Sequence, residues 1–329
     1  MNGTNSNSSC SRSTEEDIRY AYRLLLGREP DEGGLAHHKQ WIAKTDLPTT
    51  DLAQAFLRSD EYLSRSEHSS VLQEFVFHGI KIYPWRGDKL IGECLLATGR
   101  YEPHVLPIFL EALREGDSVL DIGANIGIYS LLAAQRVGKK GTVVAIEPVA
   151  KNVRSLCAGI LANGFKNISV VPVAASDKSS AIAVLRHSDS SNGIVDSHVN
   201  FSGDCDYVPT QRLDALLGGL KRLDVMKIDI EGHEPHAWAG LKSLVQLHRP
   251  MIFTEFSPVA IRNHSRTRPE EYLSDLFEVA NGKIDVLHQG RARVRCRDPA
   301  EVMREWVLAN ERFGLDGGMH LDLVVDSRN

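Results

Sequence analysis

The chain has 329 residues, 42% hydrophobic and 25% charged, with a formal net charge of -5. That is a globular composition, long enough for one large domain and a small one, and its acidic balance without a dense Lys/Arg block excludes nucleic acid or an anionic membrane as the main partner. Five cysteines without a CxxC pair fit reduced thiols, no run approaches the roughly 18 apolar residues of a membrane span, and the start lacks a signal peptide's apolar core, so a soluble cytoplasmic protein is expected.

Residues 1–12 are rich in Ser and Asn and are expected to form a disordered tail. Ser13 and Glu16 have the spacing of a capping box, Ile18, Tyr22 and Leu25 recur at helical intervals, and Gly27 suits the position after a helix. A second helix is expected over Gly34 to Ala43. A third, from near Thr50, carries Leu52, Phe56, Leu57 and Tyr62, which makes residues 13–68 a small helical module. Between the first two, Arg28, Asp31, Gly33 and Gly34 suit a turn and its salt bridge. His37 and His38 have no spaced Cys or His to suggest a metal.

From residue 80 to 329 strands and helices alternate. SVLDIG precedes a helix over Ile128 to Val137; TVVAIEP precedes one over Val149 to Asn163; ISVVPVAAS, DVMKIDIE and PMIFTEF are further apolar runs. A helix over Ala300 to Asn310 leads to HLDLVVD, expected at or near the sheet edge. The expected fold class is α/β, a mostly parallel sheet with helices on both faces, preceded by the all-α module.

In VLDIGANIGIYS, Asp121, Gly123, Asn125 and Gly127 occupy the first strand-to-helix loop, where such sheets bring backbone closest to a ligand. The pattern lacks the second and third glycines of the GxGxxG dinucleotide fingerprint, which disfavours an NAD-dependent oxidoreductase. Asn125 tolerates the left-handed conformation that the turn needs. Asp121 would repel a diphosphate and attract the cationic amino-acid part of S-adenosylmethionine. Glu147, ending the second strand about two dozen residues on, can accept both hydroxyls of a ribose; alternatively it is a helix-start acid before Pro148. Asp177 either accepts from an adenine amino group or shapes a turn.

GRYEPH (99–104), VLDIGANIGIYS, AIEP, TQRLDALL (210–217), MKIDIEGHE (226–234) and IFTEF (252–256) resemble, in that order, the FkbM family of S-adenosylmethionine-dependent methyltransferases. The resemblance implies a class I methyltransferase (Rossmann-like) fold, S-adenosyl-L-methionine as cofactor, O-methylation of sugar or polyketide hydroxyls, and a cofactor contact by Glu102. LLLGREPDEGGL (24–35) with AFLRSDEY (55–62) resembles a small helical domain of uncharacterised function found beside glycosyltransferases and polysaccharide enzymes.

In KIDIEGHEP (227–235), strand alternation sends Lys227, Asp229 and Glu231 to one side, with His233 in the following loop. An alcohol attacks a sulfonium methyl poorly until a base takes its proton; His233, with an ordinary pKa of about 6.5, is the expected base, and Asp229 and Glu231 either orient it or take that role. The bland alternative makes Asp229 and Glu231 helix caps, Lys227 their ion-pair partner and His233 a surface residue. Glu255 ends the neighbouring strand. The group shows no ordered metal-ligand pattern, so no metal site is assigned. Residues 186–206 are either a lid or a surface excursion, and Arg262, Arg266 and Arg268 either grip a phosphate or are solvated.

Taken together, the sequence predicts an O-methyltransferase acting on a saccharide or glycosylated small-molecule acceptor in polysaccharide biosynthesis, with a protein partner for the helical module. A non-catalytic adaptor, or a methyltransferase acting on a lipid, polyketide or protein, are the alternatives.

Overall fold

The structure, a computed structural model, describes residues 12–57, 59, 61–62, 72–85, 91–185, 194–195, 205–280 and 282–328. The expected N-terminal tail lies outside them except for Arg12, and so does most of the 186–206 segment. The chain divides into two compact units, residues 1–72 and 73–329.

The first unit contains α1 (Glu15–Leu26), α2 (Glu32–Thr45) and α3 (Thr49–Leu57). Ile18, Ala21, Tyr22 and Leu26 of α1 pack with Leu52 and Phe56 of α3 in its core. The capping box sits one residue later than expected, on Thr14 and Asp17. Ser13 gives its backbone N–H to Leu47 O at 2.9 Å, which keeps it outside the helix. The α1–α2 turn is as expected: Asp31 caps α2 by accepting from Gly34 N at 2.8 Å, and Arg28 reaches it at 3.3 Å. Arg28 also makes a two-pronged pair with Glu61, at 2.7 and 2.6 Å.

The second unit opens with the hairpin β1 (Phe75–Phe77) and β2 (Ile80–Ile82), then α4 (Gly92–Thr98) and α5 (Leu106–Ala112). Next come β3 (Ser118–Ile122), α6 (Ile128–Val137), β4 (Thr142–Ile146), α7 (Ala150–Asn163) and β5 (Ile168–Val171). Pro172, which cannot donate to a ladder, follows β5, and the ISVVPVAAS run splits there. Its second half, β6 (Ala174–Ala175), joins β7 (Ser180–Leu185), β8 (Ile194–Val195) and β9 (Cys205–Gln211) in a small sheet of order β6-β9-β7-β8.

The chain returns through α8 (Leu213–Leu216) to β10 (Val225–Ile228), α9 (Glu234–Ala239), α10 (Lys242–His248) and β11 (Met251–Phe256). It ends with α11 (Pro258–Ala260), α12 (Pro269–Val279), β12 (Ile284–Leu287), β13 (Val294–Cys296), α13 (Pro299–Phe313) and β14 (Leu321–Asp326).

The large sheet has the order β13-β12-β14-β11-β10-β3-β4-β5. Strands β3, β4, β5, β10 and β11 are parallel, and β14 runs antiparallel between β11 and β12. This is a class I methyltransferase fold: a mostly parallel sheet covered on both sides. Leu120, Ile122, Met226 and Ile228 face one core, with Trp238 of α9 fully buried in it; Val119, Val143 and Val225 face the other, against α5 and α6. HLDLVVD is therefore not an edge strand. Leu321, Leu323, Val324 and Val325 are all buried, the pattern of a strand covered on both faces, and β12 and β13 lie outside it.

Strand order reverses between β3 and β10: the chain leaves β3 for β4 on one side and returns to β10 on the other. Ligands of open α/β sheets settle beyond the strand ends at that point.

Candidate active site

A cavity of about 350 Å³ opens where strand order reverses, in the range of small-molecule sites. One wall is the loop from β3 to α6. Gly123, Asn125 and Gly127 have φ of 84°, 52° and 94°, so the three positions that the sequence marked out all take the left-handed conformation. Gly123 N and Ala124 N donate to Ile146 O at 2.9 and 3.0 Å, which fastens the loop to β4.

The first two glycine positions also answer to packing. A Cβ on Gly123 would stand 1.8 Å from the carbonyl oxygen of Asp229, so the absent side chain lets β10 end against the loop. A Cβ on Gly127 would stand 2.4 Å from Leu156 Cδ1 on α7. Gly123 and Asn125 line the cavity; Gly127 does not, and acts by letting α6 and α7 meet.

Glu147 lines the cavity immediately after β4. Its Oε2 accepts from Asn125 N and its Oε1 from Val149 N, both at 2.8 Å, so it ties the loop to the start of α7. Burial raises its pKa to about 7, against the pull of those two amides. Pro148, Val149, Ala174 and Ala175 supply an apolar wall beside it.

Two expected cofactor contacts lie elsewhere. Asp121 is 1% exposed and outside the lining: β3 alternation turns it to the Val119 side, where Ser130 Oγ at the start of α6 donates to it at 2.6 Å. Asp177 is also outside the lining; it accepts from Ser176 Oγ at 3.1 Å and lies 3.7 Å from His236 Nδ1.

Glu102, Lys227, Asp229, Glu231 and His233 all line the cavity. Lys227 stands opposite Asp121 in the β10–β3 register. Its ammonium donates to Asp229 Oδ2 at 2.6 Å and lies 4.5 Å from the centre of the Tyr129 ring. Burial alone would lower its pKa, but Asp229, Glu102 and Asp121 outweigh that and hold the charge. Asp229 is the mirror case: burial would raise it, and Lys227 keeps it below the ordinary carboxylate value. Glu102 accepts from the Tyr129 hydroxyl, and burial raises its pKa despite Lys227.

His233 is not the exposed imidazole that a base near pH 6.5 requires. It is 7% exposed, its Nε2 lies 3.1 Å from Ser176 Oγ, and its Nδ1 has no hydrogen-bond partner. Burial, reinforced by the neighbouring His236, lowers its pKa to about 3, so the ring stays neutral and is a weak base. Glu231 sits at φ 56° just after β10 and presents its side to the cavity.

Sequence reasoning missed Tyr101, Tyr129, His320 and Asp322, which also line the cavity, as does Glu255. The alternation in HLD was the available signal for His320 and Asp322, but nothing local shows that the start of an antiparallel strand meets the ends of the parallel ones. Among the described residues no group of three or more His, Cys, Asp or Glu side chains is arranged to hold a metal ion, and no helix is long and apolar enough to cross a membrane.

Comparison with known proteins finds relatives over part of the chain. Protein-L-isoaspartate O-methyltransferase 2 of Archaeoglobus fulgidus is 37% identical over 71 residues, which is 21% of this chain and 32% of that protein. Protein-L-isoaspartate O-methyltransferase of Methanococcus aeolicus is 33% identical over 70 residues, 21% of this chain and 32% of that protein. The chain thus spans about a third of the length of the curated relatives it matches. Among solved structures, methyltransferase FkbM from Methylobacillus flagellatus aligns with 15% identity and a TM-score of 0.40, covering 93% of this chain and 58% of that one. Residues 121–277, which hold the glycine loop, Glu147, β10 and β11, match the family model of the methyltransferase FkbM domain.

Proposed function

We propose that this protein is an S-adenosylmethionine-dependent O-methyltransferase. The observation that carries the reading is the Gly123–Asn125–Glu147 corner at the strand-order reversal, within a stretch that matches the methyltransferase FkbM domain. An ionised carboxylate only accepts hydrogen bonds, which suits the two hydroxyls of a ribose, and the apolar wall beside Glu147 suits an adenine. Asp229, Glu231 and Asp322 in the lining outnumber its one lysine, Lys227. That excess of negative charge suits a sulfonium and an amino group and disfavours a diphosphate. It replaces the single charge of Asp121 as the electrostatic argument, since Asp121 lies behind the loop.

When bound, S-adenosylmethionine supplies a methyl group already activated by its positive sulfur; the chain's residues bind, align and exclude water. Lys227 keeps Asp229 ionised, and His233 with Ser176 forms a neutral flank. We further propose a saccharide hydroxyl as the acceptor. Carboxylates accept well from hydroxyls, and among the described residues the cavity lining contains no arginine to grip a phosphate. The resemblance of the N-terminal module to domains found beside glycosyltransferases points the same way. Transfer of labelled methyl from S-adenosylmethionine to a panel of monosaccharides, lipids and peptides tests the acceptor: label only in peptides or lipids would reject the saccharide.

The raised Glu147 pKa predicts a pH dependence of cofactor binding. The carboxyl gains its charge as pH rises through about 7, and ribose hydroxyls donate better to the charged form. Affinity for S-adenosylhomocysteine should therefore rise between pH 6 and 8 and then level off. Glu147→Gln should remove the slope and cost about 1.5–3 kcal/mol of binding at pH 8. Calorimetric titrations at several pH values check this, and a slope unchanged in the variant would speak against Glu147 as the ribose acceptor.

A further inference from the structure

The cavity wall opposite the glycine loop is built by the far end of the chain. β14 runs antiparallel to β11 with Asp322 in register with Glu255, which brings the residue before β14 over the carboxyl end of β11. That residue is His320. Its Nδ1 lies 3.1 Å from Glu255 Oε1 and its Nε2 4.0 Å from Asp322 Oδ2. Asp322 in turn holds His104 Nε2 at 2.8 Å. The His320 side chain is 51% exposed, whereas those of Glu255 and Asp322 are 13% and 16% exposed. A buried carboxyl group thus fixes one ring nitrogen while the imidazole keeps access to the cavity and to water. Both His320 and Asp322 lie beyond the 121–277 stretch that matches the family model.

We propose that His320, oriented by Glu255, takes the proton of the acceptor hydroxyl at its Nε2. This rests on the methyltransferase reading above and assigns its missing base. As the acceptor oxygen bonds to the methyl carbon, the carbon–sulfur bond breaks with its electron pair left on sulfur; the O–H proton passes to Nε2 and then to water.

The other candidates are engaged. His233 is buried against Ser176 and stays neutral. Asp229 is committed to Lys227 and held below its ordinary pKa. Burial, and then the charges of Asp229, Glu231, Glu234 and Asp322, push Glu255 well above the ordinary carboxylate range. Glu255 is a positioning residue: its contact with Nδ1 holds the His320 ring in place.

The test uses His320→Gln, Glu255→Gln and Glu255→Asp in the full chain, with three readouts. S-adenosylhomocysteine affinity should stay within about threefold of the unaltered protein in all three variants, because a base on the acceptor side leaves cofactor binding intact. On monosaccharides, Glu255→Gln should lower kcat at nearly unchanged KM, and Glu255→Asp, which keeps a carboxyl group beside the ring, should recover part of it. With the monosaccharide panel, His320→Gln should lower kcat by about 100-fold or more at nearly unchanged KM, in line with general-base removal.

Full turnover by His320→Gln, or undiminished turnover in Glu255→Gln, overturns the assignment even if the cofactor binds. Failure of the unaltered protein to bind S-adenosylhomocysteine would overturn the methyltransferase reading itself, and this assignment with it.

Discussion

Replacing Gly123 with alanine should abolish measurable cofactor binding and destabilise the C-terminal unit. The new Cβ would stand 1.8 Å from Asp229 O and 2.9 Å from Ile230 Cγ2, at a backbone φ of 84°. The nearest of these atoms is backbone, so it cannot rotate aside. An alanine at such a φ costs about 1–2 kcal/mol by itself, and relief of the clash must push the loop away from β10. A displacement of about 1 Å in a positioning element is enough for roughly 100-fold, so the S-adenosylhomocysteine dissociation constant should rise at least that far. Total destabilisation should be about 3–5 kcal/mol. Gly164→Ala is the control: its φ is 67°, but nothing lies within 4 Å of the added Cβ. It should lose only the conformational part and bind normally. Equal losses in both variants would show that strain alone, and not the approach of β10, governs the loop.

The second large effect is expected at Lys227. Methionine would keep the length of its stem against Tyr129 and remove the charge that faces Asp121, Glu102 and Asp229. A buried ion pair that loses one partner costs about 3–5 kcal/mol, or roughly 10 °C of melting temperature for a unit of this size. The penalty is the repulsion and desolvation of carboxylates left without a cation, so it requires them to be ionised. Lys227→Met should therefore be most destabilising near pH 7.5 and progressively less so towards pH 5, as Glu102 and Asp121, both already raised by burial, take up protons. Thermal melts of the two proteins across that range read the difference directly; a gap independent of pH would mean that Lys227 acts through packing.

What the sequence made legible was local. The glycine loop, the strand that precedes it, α6 and Glu147 are adjacent in the chain, and their spacing encodes backbone geometry that only a few residue types tolerate. Asn125 is the clearest case, with the positive φ that its position in the motif required. Asp121 stands apart from the cavity lining for a reason that lies in the strand itself. The carboxylate at the end of β3 shares the face of Val119, and α6 covers that face, so the side chain meets Ser130 instead of the cavity. The burial of His233 is not legible locally because it depends on what packs over the start of α9, here Ser176, which lies 57 residues away, beside His236 of α9 itself.

Long-range placement was illegible in the same way. β14, expected at or near the edge, lies inside the sheet because β12 and β13 pair beyond it. Once β14 lies beside β11, its antiparallel direction brings His320 and Asp322 to Glu255 across more than sixty residues of sequence. No motif of fixed spacing encodes that meeting; it follows from strand order.

The central claim is that the corner formed by the Gly123–Gly127 loop and Glu147 binds S-adenosylmethionine. The most direct measurement is a calorimetric titration of the full chain with S-adenosylhomocysteine at pH 8, repeated with NAD present. One equivalent bound with a dissociation constant on the order of micromolar, undisturbed by NAD, is the predicted result. No heat up to millimolar ligand, or displacement by NAD, would contradict it.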